Sequence, residues 1–125
     1  MSHTGSITEV EVGNFDSPDE TRPFEGKGHA DVAVVGGHAV ARGTFEPGWK
    51  WSTNLKPIAR TDSCEVSHLG YCVSGRMKVY MDHGSEREIG PGEVAAIPPG
   101  HDAEVVGDEP CVWIDFGEMS DYAKR

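Results

Sequence analysis

The chain has 125 residues, enough for one domain that buries roughly two-thirds of the surface its unfolded form exposes. Its formal net charge is −10, from 21 acidic and 11 basic residues, and Lys and Arg gather nowhere along it. A phosphate-tracking surface needs such gathering, so neither nucleic acid nor an anionic membrane is an expected partner. No run reaches the ~18 apolar residues of a membrane span, and Met1-Ser2-His3-Thr4 opens no apolar leader. Cys64, Cys72 and Cys111 show no C-x-x-C spacing and read as free thiols of a cytoplasmic protein.

Residues 1–28 are polar and acidic. They read as an N-terminal arm whose alternating run around Ile7, Val10 and Val12 supplies an edge strand. Residues 30–35 and His38–Phe45 flank Gly36-Gly37, a two-residue hairpin signal, and Pro47-Gly48 ends the second strand. Trp49 and Trp51 share a face if the chain is extended, which suits core or rim packing. Residues 53–63 lack periodicity, and Pro57 excludes a central strand there. Such a long loop suits a lid.

From His68 the alternation is clean. His68, Gly70, Cys72 and Ser74 point one way, as the wall of a small polar pocket; Leu69, Tyr71 and Val73 point the other, as a sheet-to-sheet core. The run to Met81 is either two strands joined near Gly75 or one long bent strand. Asp82-His83-Gly84 turns the chain. Strands are then expected over residues 85–89, 93–97, 103–106 and 111–116, separated by Gly-Pro-Gly, Pro-Pro-Gly and Gly-Asp-Glu-Pro. Residues 118–125 form a polar tail. Eight or nine short strands at about this spacing, with no amphipathic helix, imply an all-β antiparallel sandwich or barrel over residues 29–117.

At Gly92, Pro98 and Gly100, preceded by Gly90-Pro91, the chain resembles the cupin superfamily, small jelly-roll β-barrels with two spaced motifs. His68 and Gly75 keep the spacing of the first motif's second half, and Pro47-Gly48 matches the strand end before it. The resemblance covers residues 30–116. It implies a lumen that in metal-binding members is ligated by two His and a Glu from the first motif and a His from the second. Here His68 stands at the Glu position, Ala103 at the second-motif His and Gly107 at the Asn. The segment before His68 is longer than usual, so its register stays open. Counting forward from Gly48 gives Asn54 and Lys56; counting back from His68 gives Asp62 and Cys64.

What the resemblance implies is a departed site. His68 is its anchor ligand and catalytic residue, with His101 and Cys64 as companion ligands. Cys72, Tyr71 and Trp51 shape the substrate pocket. The ion would be a divalent metal, Fe, Zn, Cu, Mn or Ni, and the ligand a small polar molecule, with oxygenase, lyase or isomerase chemistry open. The alternatives are a metal-free cupin acting as a sensor or binding module, and an epimerase-like protein using His68 alone as acid and base. A Cys/His nucleophile is disfavoured, since no orienting third residue or oxyanion hole is legible. Against these stand plainer readings: His68 donating to a backbone carbonyl, His101 paired with Asp102 in a turn, and Cys64 an inert buried thiol. Cys111 reads as strand packing and His83 as a hairpin tip, while His3, His29 and His38 have no evident partner. The resemblance also implies a homodimer, through paired sheets or an exchanged N-terminal arm.

Overall fold

A computed structural model describes residues 7–125; His3 and its neighbours at the N-terminus lie outside the described residues. Nine strands and two single-turn helices follow one another: β1 (Glu20–Pro23), β2 (Gly28–Val35), β3 (His38–Phe45), α1 (Trp51–Asn54), α2 (Lys56–Ala59), β4 (His68–Ser74), β5 (Met77–Met81), β6 (Glu86–Ile89), β7 (Val94–Ile97), β8 (His101–Val105) and β9 (Cys111–Asp115). All pairings are antiparallel. They make a six-stranded sheet in the order β1-β2-β3-β9-β4-β7 and a three-stranded sheet in the order β6-β5-β8. The two sheets face each other as a jelly roll.

The turns follow from the chemistry of their residues. Gly36 and Gly37 both adopt positive φ, 59° and 74°, which a tight primed turn requires and which sets Val35 opposite His38. Gly70 is forced by packing instead. A Cβ there would lie 2.5 Å from Cζ2 of Trp113, so only glycine lets the indole lie against β4.

The core fills the space between the sheets. Ala30, Val32, Ala41 and Phe45 come from one side; Met77, Val79, Ile89, Ala103 and Val105 come from the other. Phe24, Phe45 and Trp49 close one end, with ring centroids 5.2 Å apart for Phe24–Phe45 and 4.5 Å for the edge-on Phe45–Trp49 pair. Contacts of this kind add about 0.5–1.5 kcal/mol each beyond area burial.

Four expectations are corrected. Residues 7–12 form no strand, and Val10 and Val12 are almost fully exposed; the edge strand of this region is β1. The loop after Trp49 is not featureless, because α1 and α2 lie in it and bury Trp51, Asn54 and Leu55. The outer side of β4 meets no second sheet. Leu69, Tyr71 and Val73 are 51%, 41% and 48% exposed, since the facing sheet covers the His68 side only. Finally, the polar tail of residues 118–125 does not stand apart from the barrel: Met119, Tyr122 and Ala123 are buried in the core.

Candidate metal centre

The site forms where three segments meet. β4 begins at His68, whose ring turns inward by the strand's own alternation. β8 begins at His101, just past Pro98-Pro99-Gly100, where Gly100 at φ 91° makes the turn. Cys64 arrives on the loop that leaves α2 through Arg60, held in the left-handed region at φ 60°. That loop folds back and pairs with β8: Cys64 N–H donates to His101 O at 2.8 Å, and Gly100 N–H donates to Cys64 O at 2.7 Å. Ser63 Oγ–H, bonded to the Asp82 carboxylate at 2.7 Å, fastens the return.

One donor atom each from Cys64, His68 and His101 lies within 4.8 Å of the others. Cys64 Sγ is 3.6 Å from His68 Nε2, and the two imidazole rings meet edge-on at 5.2 Å between centroids. Both histidines are oriented through their other nitrogen. His68 Nδ1–H donates to Asp115 Oδ2 at 2.6 Å, and His101 Nδ1–H donates to Pro98 O at 2.9 Å. These acceptors engage Nδ1 of each ring, orient both imidazoles and leave Nε2 of each facing the lumen. Asp115 is itself held, accepting from Trp113 Nε1–H at 2.8 Å and from Gly117 N–H at 2.8 Å.

The electrostatics follow from this geometry. Burial opposes charge on His68, but the carboxylate of Asp115 and the sulfur of Cys64 outweigh it and raise the imidazole to about 9. Burial likewise pushes the Cys64 thiol up, yet hydrogen bonding with His101 and His68 prevails and lowers it to about 7. At neutral pH His68 is therefore largely imidazolium and Cys64 about half thiolate. Tyr122 stands edge-on to His68 with centroids 5.4 Å apart, and burial keeps its phenol protonated.

Of the residues singled out in the sequence, His68, His101 and Cys64 are brought together. Trp51 lines the lumen cavity with the two histidines, while Cys64 lies just outside it. Cys72 is fully buried but lies off the cavity, donating to Ser74 O and Gly75 O beside the β4 bulge. Tyr71 faces outward and shapes no pocket, because it falls on the opposite parity of β4 from His68. Asn54 is buried elsewhere, bonding Glu25 O and Lys50 N–H, while Lys56 and Asp62 are exposed, so among the four candidates of the open register only Cys64 reaches the site. The His101–Asp102 pairing is absent too: Asp102 accepts from Ser52 N–H.

Two participants were missed. Asp115 was legible as an acid sharing the parity of Cys111 and Trp113 on an apolar strand, a carboxylate aimed at a core. Tyr122 left no signal in its polar surroundings. Apart from the two histidines, Asp115 and the indole N–H of Trp49, the cavity walls are mainly apolar, with Met77, Val79, Ile89 and Phe45 among them.

Fold and site together describe a small cupin-like barrel whose Cys64, His68 and His101 could hold a metal ion. The profile of the Cupin domain family matches residues 59–117, and together with the jelly-roll architecture this match supports the cupin superfamily. Similar solved structures include KdgF from Halomonas sp., at 18% identity over 91% of this chain and 98% of that one, with TM-score 0.62. The polyketide cyclase RemF from Streptomyces resistomycificus is similar at 16% identity over 93% and 91%, with TM-score 0.61. A protein with a double-stranded β-helix domain from Klebsiella pneumoniae is similar at 18% identity over 91% and 94%, with TM-score 0.59. At these identities the likeness is one of fold. No curated protein sequence matches the chain.

Proposed function

We propose that this cupin holds one divalent metal ion through Cys64 Sγ, His68 Nε2 and His101 Nε2, and uses it to bind and act on a small molecule in the lumen. The observation that carries the reading is the double orientation of the histidines. Each spends Nδ1–H on a fixed acceptor and presents Nε2 beside a thiol that is already half ionised near pH 7. One sulfur with two imidazoles is a softer set than the usual cupin site, and suits Zn, Cu or Fe better than Mn. Bound there, such an ion supplies a Lewis acid that polarises a carbonyl or acidifies a water.

The chain's own groups do the rest. Asp115 holds His68 and balances positive charge at the site. Tyr122 and the apolar walls exclude water. Trp49 also lines the cavity, and its indole Nε1–H is buried without a partner, a donor left for a ligand's polar atom. The ligand is then a small molecule with a polar head at the cluster, an acceptor for the Trp49 indole N–H and an otherwise apolar body. Lyase or isomerase chemistry at a carbonyl fits this better than a fully polar substrate does.

The Asp115–His68–Cys64 chain supports a second reading, a metal-free protein in which His68 moves a proton and Asp115 orients it. Metal analysis of untagged protein purified without chelator separates the two. The first predicts about one ion per chain, lost in His68→Ala; metal-free protein with a folded lumen removes it and leaves the second.

We further place the protein in the reducing cytoplasm, supported by three free, buried thiols. No helix among the described residues is long and apolar enough to cross a membrane. We also propose a homodimer through the open face of the large sheet. Leu69 pairs with Ala96, and Tyr71 pairs with both Val94 and Ile114, so one apolar patch runs across β7, β4 and β9 without an acidic residue among these five.

A further inference from the structure

The lumen cavity measures about 50 Å³, too little for an organic ligand. Just outside it lies a second hollow of about 300 Å³, bounded by α1, α2, the loop bearing Cys64 and the C-terminal residues 121–124. His68 and His101 line the inner space, Cys64 lines the outer one, and Trp51 and Tyr122 line both. Those two side chains are the partition. Trp51 is fixed in α1; Tyr122 belongs to a segment with neither strand nor helix.

One side chain holds that segment down. Arg22, on edge strand β1 and only 6% exposed, donates from Nη1 to Met119 O at 2.7 Å and to Tyr122 O at 2.9 Å. Its Nη2 donates to Ser120 O at 3.0 Å and to Glu20 at 2.9 Å. A buried guanidinium spread over three carbonyls of a single irregular segment is a latch, since charge-assisted bonds of this kind are stronger than neutral ones. Past Glu118, which exchanges bonds with Ser67, the remaining hydrogen bonds to the body among the described residues are those of the exposed Arg125 to Glu25 and Pro23, so apart from the packing of Met119, Tyr122 and Ala123 the segment depends on Arg22.

We propose that residues 118–125 form a gate latched by Arg22, and that displacing Tyr122 joins the two hollows into one pocket through which a ligand reaches the cluster. Ile58, Leu55 and Val66 line the outer part, so the joined pocket takes a mainly apolar molecule led by one polar group. This rests on the lumen being a ligand site, but its test does not depend on a metal.

The test is alkylation of chelator-treated protein by iodoacetamide, followed cysteine by cysteine by peptide mass spectrometry. Arg22→Met is expected to speed labelling of Cys64 by about tenfold or more, while Cys72 and Cys111, buried elsewhere in the core, stay slow. Tyr122→Ala is expected to do the same with the latch untouched. Unchanged Cys64 labelling in both variants overturns the gate. So does acceleration of all three thiols in step, which reports global loosening instead. If Cys64 alone is unmasked and no metal copurifies with the wild type, the gate stands and the metal reading falls.

Discussion

Cys64 and Cys72 are buried alike, at 2% and 0% exposed, yet their chemistry diverges. Burial raises the Cys72 thiol, and the hydrogen bond from Cys111 and the backbone bond at Ser74 do not offset it. Cys111, beside it, is raised further by burial and by Cys72 itself. Cys64 suffers the same burial and ends near 7, because two imidazoles stand against its sulfur. The ionisation of these thiols is therefore set by their neighbours and not by depth alone.

The sharpest way to break the contrast is His68→Ala. It removes the ring that Asp115 orients, and is expected to abolish stoichiometric metal and to return the Cys64 thiol toward its ordinary value of 9.0. Elemental analysis and the pH profile of Cys64 alkylation read the two effects. Asp115→Asn comes next. The amide presents either an oxygen or a donor NH₂ to His68 Nδ1, but Trp113, Gly117 and His68 all require an acceptor, so the His68 tautomer is unsettled. Metal affinity should fall about 10–100-fold with Cys64 still present, measured by competition with a chromophoric chelator. An unchanged affinity would mean that Asp115 does not tune the site.

Smaller is the pH dependence of alkylation in the metal-free wild type. Cys64 labelling should rise through a midpoint near 7, whereas Cys72 shows no rise in that range. Stability gives a linked test. Folded His68 keeps its proton above its unfolded value of 6.5, so its contribution is complete below 6.5 and is lost as pH rises toward 9. Cys64 is shifted the other way; its contribution is complete above 9.0 and is lost as pH falls through 7. Between these values the two trends oppose and the pair contributes little slope. Cys64→Ala leaves the His68 trend uncompensated, and its melting temperature should decline as pH rises above 6.5 while the wild type's barely moves. A flat profile in the variant would show that His68 is not held charged by Asp115.

The smallest effect on stability belongs to the far side of β4. Leu69→Glu with Tyr71→Glu should halve the solution mass if the open face pairs two chains, at a cost within about 0.5 kcal/mol per substitution in the monomer. An unchanged mass in light scattering removes the dimer.

Local periodicity carried much of this protein. The parity of β4 put His68 inward, the Gly-Pro punctuation placed nearly every strand, and the motif glycines named the superfamily. Cys64 and His101 could be suspected, because a thiol near the start of β4 and a histidine at the start of β8 are short-range facts. Parity could not say whether the outer face of β4 was covered, and so the exposed Leu69, Tyr71 and Val73 were read as core.

What the sequence determined by itself was the set of turns and the inward or outward sense of each strand, because these depend on φ preferences and on a period of two. Only the tertiary structure decided that the Cys64 loop returns to β8, that Asp115 reaches His68 from a strand 47 positions away, and that the polar C-terminal segment seals the lumen beneath Arg22. Those are long-range contacts. They are fixed by which surfaces remain open once the two sheets have packed, and no local pattern along the chain encodes that.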